Sequence, residues 1–509
     1  MDTIIKIKQR ILLMRTTLCA MGTILALLIQ TALGAPASGH NMQAAYRLQT
    51  FDIPDDLKLE VSGLAQLPDG KIGIAIRKGE IWIADQTSQP ESTRYHRFAS
   101  GLHEPLGLAF EQGAFYTVQR TELTRIRDGN ADGTADIYET VAKGWGVTGN
   151  YHEYAYGPKF DPAGDAWITL NIGIGKGIQP QDNAWRGWSI KVSPDGTWQP
   201  VSGGFRSPSG IGVHPNGDVF ATDQQGNWFP TCPLMHLRKG VFHGHTDALE
   251  HCKRPKATFH QEGTIPENLT VVEAAKQIPS YALPALWFPY RRMGMSATDI
   301  LWDTTEGRFG PFAGQAFVGE FTMSMILRVY LEKVDGVYQG ACFRFFEGLQ
   351  CGALRLVWSQ DAGLIIGQTN RGWNSLGHRS YGMQKLSWTG KTPFEILKVQ
   401  ALHEGFRIVF THPIHAAHPV TPESFRGESY TYHYHASYGS EKVGLEDIEL
   451  HSISVSEDRR SVELHLERLR EGYVYDLDLS GIRSEQNEPL LHSSASYTLN
   501  RIPSPEHRH

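Results

Sequence analysis

Residues 128–139 read DGNADGTADIYE and carry oxygen-bearing side chains at the spacing of a calcium-binding loop, D-x-[DN]-x-[DN]-G-x5-E. In that pattern Gly133 makes the sharp turn, and oxygen ligands come from alternate positions and from the final Glu. The corresponding ligands are Asp128, Asn130, Asp132, Thr134 through its carbonyl, Asp136 and Glu139. Strand-like segments flank the loop, so the alternative is a solvated turn rich in Asp, Asn and Gly. We predict a calcium site with a structural role.

A histidine stands just before a strand-like segment, in the run NYHEYAYG at residues 150–157. The pKa of imidazole lies near neutrality, so His152 could act as a general base. The alternative is a histidine that braces its own loop through hydrogen bonds.

Two arginines stand at similar positions before or within later strand-like segments. Arg206 lies in GFRSPSG, and Arg355 lies in GALR. A guanidinium group can hold a carboxylate or a quinone oxygen through two hydrogen bonds. Both arginines are therefore predicted to bind a cofactor, and ion pairs on the surface or between repeats are the alternative.

An internal repeat must position these residues. Its unit is an apolar strand, a tight turn and a second apolar strand, and the first four units begin about 44 to 53 residues apart. Turns such as Asp69-Gly70, Ala163-Gly164, Asn216-Gly217 and Ala362-Gly363 suit the positive φ of short hairpins. The copies are GLAQLPDGKIGIAIRKGEIWIAD, GLAFEQGAFYTVQRTELTRIRD, GPKFDPAGDAWITLN, GIGVHPNGDVFATD, DILWDTTEGRFGPFAGQAFVGEF and LRLVWSQDAGLIIGQTNRGW.

This repeat predicts an all-β fold with a six-bladed β-propeller over residues 45–390, interrupted by a long insertion at about residues 230–290. Residues 389–393 form a linker. Short alternating segments then predict an immunoglobulin-like β-sandwich over residues 394–503, followed by a tail at residues 504–509.

The first residues have the pattern of an export signal. Residues 1–34 contain a basic start, an apolar stretch and the small-x-small sequence Ala32-Leu33-Gly34. The apolar stretch is shorter than the ~20 residues that span a bilayer, although an uncleaved anchor is the alternative. We predict a protein of the periplasm, cell envelope or medium, with no membrane span after cleavage. Its formal net charge of −6 gives no electrostatic reason to bind nucleic acid.

Four cysteines follow the signal region, and none forms a C-x-x-C motif. An oxidising compartment favours two local disulfides, Cys232–Cys252 and Cys342–Cys351. Four cysteines allow three pairings, and the sequence does not choose among them.

The chain resembles the glucose/sorbosone dehydrogenase-like propellers, in particular a planctomycete-type branch labelled membrane-bound dehydrogenase. The resemblance covers nearly all of residues 50–503. It rests on the runs RIRDGNADGTADIYETV, YHEYAYGPKFDPAGDAW, DQQGNWFPTCPLMHLRKGVFHGH, WDTTEGRFGPFAGQAFVGEF, LEKVDGVYQGACFRFFEGLQCGALRLVW and GQTNRGWNSLG.

The resemblance implies a calcium-assisted dehydrogenase that uses pyrroloquinoline quinone to oxidise a sugar or sugar-derived alcohol. His152 stands where the family has its base, and Arg206 and Arg355 stand where arginines meet the quinone. Ser207 replaces the Asn of the arginine motif, and Thr322 falls near an expected Lys. Many relatives carry a fused cytochrome module that this sequence lacks, so the electron acceptor would be separate, such as a cytochrome c or a blue-copper protein.

Two other functions remain open from the sequence. The same fold could host a calcium-dependent sugar lactonase, in which a metal in the central channel activates water. It could equally present a non-catalytic surface that binds a glycan or a protein partner, because fold alone does not determine function.

Overall fold

The structure is a computed structural model that describes residues 44–175 and 184–506. The predicted signal at residues 1–34 lies outside the described residues, as does the end of the tail from residue 507. None of the described helices has the length and apolar character needed to cross a membrane.

Strands dominate the part of the chain that contains the repeats. They are β1 (Tyr46–Thr50), β2 (Val61–Gln66), β3 (Ile72–Ile76), β4 (Glu80–Asp85), β5 (Arg94–Ala99), β6 (Ala109–Glu111), β7 (Ala114–Val118), β8 (Glu122–Arg127), β9 (Ile137–Lys143), β10 (Ala155–Phe160), β11 (Ala166–Leu170), β12 (Trp188–Val192), β13 (Trp198–Gly203), β14 (Gly210–Val213), β15 (Val219–Thr222), β16 (Cys232–His236), β17 (Leu269–Thr270), β18 (Leu286–Phe288), β19 (Ala297–Trp302), β20 (Ala316–Glu320), β21 (Met325–Val334), β22 (Val337–Phe346), β23 (Ala353–Trp358), β24 (Leu364–Thr369) and β25 (Tyr381–Trp388).

These strands form sets of four antiparallel neighbours, one for each sequence repeat. The sets are β2-β3-β4-β5, β6-β7-β8-β9, β10-β11-β12-β13, β14-β15-β16-β18, β19-β20-β21-β22 and β23-β24-β25-β1. The first strand of each set contacts the first strand of the next, and β23 contacts β2, which closes the ring. The arrangement is propeller-like, and β1 completes the last set by pairing with β25, Tyr46 opposite Trp388.

Most second strands are buried from end to end, because sheets pack on both of their faces, and only β7 has a half-buried residue, Tyr116. Every residue of β3, β11, β20 and β24 is buried. Such strands read as continuous apolar runs such as IGIAI and LIIG. The turns before β3, β11 and β15 take positive φ at Gly70, Gly164 and Gly217, and the turn before β24 takes it at Ala362 and not at Gly363.

The predicted insertion at residues 230–290 contains two strands of the fourth set. Strands β16 and β18 pair with each other, Cys232 opposite Phe288, and a long excursion joins them. That excursion holds a 3-10 helix (Thr246–Lys253), β17 and helix α1 (Val271–Gln277), which begins with a capping box between Thr270 and Glu273. Both strands are short, and β16 contains Pro233, so the sequence pattern for them is weak.

The rest of the chain folds as two further sheets around an apolar core that includes Ile408, Leu464 and Tyr497. The first sheet is β26-β27-β31-β30, and the second contains β28, β32 and β33, with β29 paired to β28. The strands are β26 (Ile396–Leu402), β27 (Gly405–Phe410), β28 (Arg426–Tyr434), β29 (Lys442–Asp447), β30 (Leu450–Val455), β31 (Ser461–Leu466), β32 (Tyr473–Asp478) and β33 (Ser494–Leu499). We call this part, residues 394–503, the C-terminal unit.

The C-terminal unit and the repeats share one sheet. Strand β33 pairs with β22, Gly340 opposite Thr498, and the fifth repeat thereby joins β28, β32 and β33 in a sheet of nine strands. Strand β17 of the excursion pairs with β28, Leu269 opposite Tyr434. The predicted linker at residues 389–393 therefore joins two parts of the chain that are also connected by strand pairing.

All four cysteines of the described residues are free and buried, which differs from the two predicted disulfides. Cys232 lies in an apolar cluster with Cys342, whereas Cys252 lies in the cluster beneath the excursion. Burial raises the pKa of Cys232, Cys252 and Cys351 to about 12. The pairing was inferred from closeness in sequence, but the excursion carries Cys252 away from Cys232.

Candidate functional site

The loop before β10 holds His152 in a fixed position. Asn150 accepts hydrogen bonds on its Oδ1 from the backbone N–H groups of His152 (2.9 Å) and Ile174 (3.3 Å). The fully buried Glu153 accepts two more, from the backbone N–H and the hydroxyl of Thr148. These bonds hold the loop in place on both sides of the histidine.

The imidazole of His152 is suited to accept a proton. Its pKa lies below the usual 6.5, chiefly because burial disfavours the charged form, with Arg206 and Arg120 adding repulsion. The ring lies 5.4 Å from that of Tyr151 and 6.4 Å from that of Tyr154. Within the described residues no side chain or backbone group forms a hydrogen bond with the ring nitrogens. A neutral ring with a free nitrogen is what a general base requires.

Arg206 lies in the loop before β14, and the buried Asp223 holds this loop in place. The Asp223 carboxylate accepts hydrogen bonds from the backbone N–H groups of Arg206 (2.8 Å), Ser207 (2.6 Å) and Gln224 (2.6 Å). Burial raises the pKa of Asp223 to about 6 despite these bonds. Asp223 follows β15 directly, so the end of a second strand positions the loop that enters the first strand.

The Arg206 guanidinium group has no ion-pair partner among the described residues. It packs against Gly226, where an added Cβ would stand 2.1 Å from Nε, so a larger residue there would displace the guanidinium group. On its other side it lies 5.5 Å from the ring centroid of Tyr438. Arg206 thus offers an unpaired cation beside His152.

Tyr438 belongs to the C-terminal unit, in a loop of residues 435–440 that lies against residues 226–230. Gly439 donates a hydrogen bond to the carbonyl of Gly226 (3.0 Å), and Ser440 donates one to the carbonyl of Pro230 (3.1 Å). Asn227 donates through Nδ2 to the carbonyl of Ala436 (2.8 Å). The Tyr438 ring remains 64% exposed on this firmly held loop. The C-terminal unit therefore supplies one side of the site.

Two further arginines near His152 share one carboxylate. Arg77 and Arg120 both form ion pairs with Glu104, and both guanidinium groups lie about 5 Å from the ring of Tyr154. Burial opposes ionisation of Glu104, but the arginines outweigh it and lower the pKa. Arg120 also donates to the carbonyl of Tyr151 (2.9 Å). The sequence analysis missed this cluster, although each arginine follows the second strand of its repeat, as Asp223 does.

Arg355 lies in the wall of the central channel, not beside His152. Its guanidinium group donates to the backbone carbonyls of Ser62 (3.0 Å), Leu106 (3.0 Å) and Leu354 (2.8 Å). Arg355 is 4% exposed, and the channel beside it encloses only about 10 Å³. The bonds to Ser62 and Leu106 connect the last repeat to the first and to the segment that leads into the second, which differs from the predicted cofactor contact.

The predicted calcium loop is closed by its own hydrogen bonds. Asp128 accepts from the backbone N–H groups of Asp132 (3.3 Å) and Gly133 (2.8 Å), and Asp136 accepts from that of Gly129 (2.6 Å). Glu139 lies on β9, where its carboxylate pairs with Arg125 (2.8 Å) and Arg127 (3.0 Å) on β8. Across residues 44–175 and 184–506, no three His, Cys, Asp or Glu side chains gather as metal ligands.

A sequence profile of DUF7133, a domain of unknown function, matches residues 69–339. This match covers more than half of the chain and includes His152, Arg206 and the Arg77–Glu104–Arg120 cluster. The chain belongs to the DUF7133 family. A comparison with curated protein sequences finds no match for this DUF7133 protein.

Solved structures of sugar dehydrogenases are among those similar to this DUF7133 protein, as its sequence motifs predict. An oxidoreductase of Thermus thermophilus described as a glucose dehydrogenase is 18% identical, with a TM-score of 0.49 over 67% of this chain and 99% of its own. The aldose sugar dehydrogenase of Streptomyces coelicolor, solved with pyrroloquinoline quinone bound, is 15% identical, with a TM-score of 0.47 over 68% and 99%. The quinone domain of pyranose dehydrogenase from Coprinopsis cinerea is 11% identical, with a TM-score of 0.45 over 70% and 99%. The planctomycete-type branch stays a prediction.

Other repeats of the DUF7133 protein use the same kind of anchor as Asp223. Glu320, at the end of β20, accepts from the backbone N–H groups of Met295 (2.8 Å), Met323 (2.5 Å) and Ser296. Asn370, just after β24, accepts from the backbone N–H of Gly352 (3.2 Å). A polar residue directly after an apolar second strand is the sequence signal that could have identified these anchors.

Proposed function

We propose that this protein is an exported, quinoprotein-like dehydrogenase that oxidises a sugar or sugar-derived alcohol. Its fold in this proposal is a six-bladed propeller followed by an immunoglobulin-like sandwich, which the ring of four-stranded sets and the two C-terminal sheets support. The observation that carries the proposal is the neutral, unbonded His152 imidazole beside the unpaired Arg206. An alcohol is a poor hydride donor until its proton is removed, so a base and a nearby cation are the groups this reaction needs.

In this proposal His152 accepts the proton of the substrate hydroxyl on a ring nitrogen. Arg206 and Arg120 keep the imidazole neutral before the reaction by raising the cost of a second positive charge. Arg206 binds anionic oxygen atoms through its guanidinium group, and the exposed rings of Tyr151 and Tyr438 lie beside His152 and Arg206 respectively. The Asn150 and Asp223 hydrogen bonds act earlier, because they hold the two loops in place before the substrate arrives.

The residues fit pyrroloquinoline quinone in part. Arg206 would hold its oxygen atoms, and the bound quinone would supply the hydride acceptor. Arg355 donates its hydrogen bonds to backbone carbonyls, and Thr322 has no positive charge, so neither supports a second cationic contact. The exposed aromatic rings and the free guanidinium of Arg206 are the features that suit a flat, anionic ring system.

Calcium remains a proposal for residues 128–139. Asp128, Asn130, Asp132 and Asp136 stay within one short loop, so a cation could replace the hydrogen bonds that their side chains accept from backbone N–H groups. Glu139 would first have to leave Arg125 and Arg127. The sugar lactonase alternative needs several carboxylates in the central channel, where Asp299 lies beside Lys159 and Arg355. The dehydrogenase is therefore the better supported of the two. A separate electron acceptor, such as a cytochrome c or a blue-copper protein, completes the proposal.

The deciding experiment titrates the purified protein with pyrroloquinoline quinone, with and without calcium. Absorption spectra report binding, and reduction of an artificial dye reports turnover on aldoses and sugar alcohols. We expect dye reduction that Arg206→Ala abolishes at limiting quinone and that excess quinone restores. Spectra that show no quinone binding under either condition would contradict the proposal and leave the glycan-binding or partner-binding alternative.

A further inference from the structure

A groove of about 360 Å³ lies between the first two repeats, outside the site around His152. Its wall is formed by Ser100 from the connection after β5, by Gln119 from the β7–β8 turn, and by side chains of β8 and β9. Gln119 adjoins Arg120, and its Oε1 accepts from the backbone N–H of His103, which adjoins Glu104 (2.5 Å). The groove is therefore lined by a sequence neighbour of Arg120 and by none of the residues described around His152.

Strand geometry places four side chains of this groove on one face. Residues two apart in a strand point the same way, so Glu122 and Thr124 on β8, and Tyr138 and Thr140 on β9, share their respective faces. Thr124 lies directly opposite Thr140 in the pairing of the two strands. Alternation in the sequence thus produces a polar, open surface on an otherwise packed sheet.

The polar groups are held in place by a connected network. The Glu122 carboxylate accepts from Gln119 Nε2 (3.2 Å), Thr124 Oγ1 (2.7 Å) and Thr140 Oγ1 (3.1 Å). All three donors are uncharged, and no Lys or Arg among the described residues pairs with Glu122. Each carboxylate oxygen can accept more than one hydrogen bond, so acceptor capacity remains for a ligand.

Tyr138 provides a fixed aromatic face beside this network. Its hydroxyl lies 3.3 Å from both the backbone N–H and the carbonyl of Ser100, to which it is hydrogen bonded. These bonds hold the side chain across the groove while the residue stays 44% exposed. Because its hydroxyl is already hydrogen bonded, the Tyr138 side chain loses little further conformational freedom when a ligand binds.

We propose that this groove binds a neutral saccharide. Carboxylate, amide and hydroxyl groups match the hydroxyl groups of a sugar, and the Tyr138 ring matches the apolar face of a pyranose. The Glu122 carboxylate repels phosphate, sulfate and carboxylate ligands. A single carboxylate is also too few oxygen ligands for a metal ion. The volume lies within the range of small-molecule pockets. The proposal is independent of the dehydrogenase function.

The test is an array of neutral, sulfated, amino and uronic oligosaccharides, followed by calorimetric titration with cellotriose and maltotriose. We expect binding to neutral members, and a loss of about tenfold or more in affinity for Tyr138→Ala and for Glu122→Gln. Tyr138→Phe keeps the ring but loses the Ser100 contact, so its affinity should fall between wild type and Tyr138→Ala. Tyr290→Ala, another exposed tyrosine, is the matched control and should bind as wild type does.

Two further measurements show whether each variant is folded and where the saccharide binds. Melting temperatures check that each variant is folded, and Tyr138→Ala and Glu122→Gln should leave dye reduction at the site around His152 unchanged. The proposal is overturned if no neutral saccharide binds, or if binding survives both Tyr138→Ala and Glu122→Gln. Loss of dye reduction in these two variants would place the saccharide at His152 and would also overturn it, as would a preference for charged members of the array.

Discussion

His152 carries the pH dependence that the proposed reaction should show. Burial and two neighbouring arginines lower its pKa, so the imidazole loses its proton at a lower pH than an exposed histidine. Since the base must be neutral, kcat/KM should stay constant above this pKa and fall as pH falls through a value below 6.5. His152→Ala should lower kcat by roughly 10²–10⁴ and remove the acidic limb. Steady-state rates between pH 4 and 8 measure both, and an unchanged acidic limb in the variant would reject the assignment.

The buried Glu320 should make the free energy of unfolding fall as pH rises, whereas a carboxylate in an ordinary salt bridge makes it rise. Burial raises its pKa from 4.5 to about 7, with the backbone N–H bonds and Arg344 opposing the shift. The folded protein therefore binds the proton more tightly than the unfolded chain. The stabilisation is complete below about 4.5 and is lost as pH rises through about 7. Glu320→Gln should flatten this part of the profile, as urea unfolding at several pH values would reveal. An equal slope in both proteins would contradict the prediction.

At the scale of single elements, the loop of residues 128–139 tests whether the calcium-loop motif binds calcium when it lies between two β-strands. Calcium that binds only the folded form raises the melting temperature once its concentration exceeds the dissociation constant. We expect such a rise in wild type, and its loss in Asp128→Ala combined with Asp132→Ala. Scanning calorimetry with calcium and with a chelator measures it, and Arg125→Ala serves as a variant that frees Glu139. The same calcium response in wild type and the double variant would rule out this loop.

The loop of residues 435–440 should contribute to the site through Tyr438. Its neighbours are held by hydrogen bonds to Gly226 and Pro230, so removal of the exposed ring should leave the fold intact. Tyr438→Ala should weaken the binding of quinone by about tenfold, in line with the loss of a cation–π contact and of aromatic burial. Tyr138→Ala is the control, because that tyrosine is comparably exposed but lies in the separate groove. Equal affinities for Tyr438→Ala and wild type would show that the loop only supports the repeats.

At the scale of the whole molecule, the nine-stranded sheet predicts a single unfolding transition. Strand β22 belongs to the fifth repeat and pairs with β33 of the C-terminal unit, and β17 pairs with β28. One unit cannot unfold without exposing the edge strands of the other. Scanning calorimetry should therefore show one cooperative endotherm, with the calorimetric and van 't Hoff enthalpies in agreement. Two separated endotherms would mean that the units unfold independently.

Periodicity predicted the repeating strands because their apolar residues follow the local rules of strands and turns. The turns at Gly70, Gly164 and Gly217 lie where the sequence places them, and His152 and Arg206 stand at loop positions that the repeat defines. The Arg77–Glu104–Arg120 cluster was not predictable in this way, since its members come from separate connections of two repeats. The same holds for Tyr438, which reaches Arg206 through a pairing more than 200 residues apart in sequence. Contacts between distant segments leave no periodic pattern.

The junction between β22 and β33 also sets the order in which the molecule can be assembled. Cys342 and its partner Ser496 are separated by 154 residues, so the outer edge of the fifth repeat forms long before the strand that covers it. Until then, the outer edge of β22 at Gly340, Ala341 and Cys342 lacks the strand that covers it. Such an edge attracts any other extended chain, including a second copy of the same protein. While residues 347–493 are being made, this edge is therefore open to pairing with another chain.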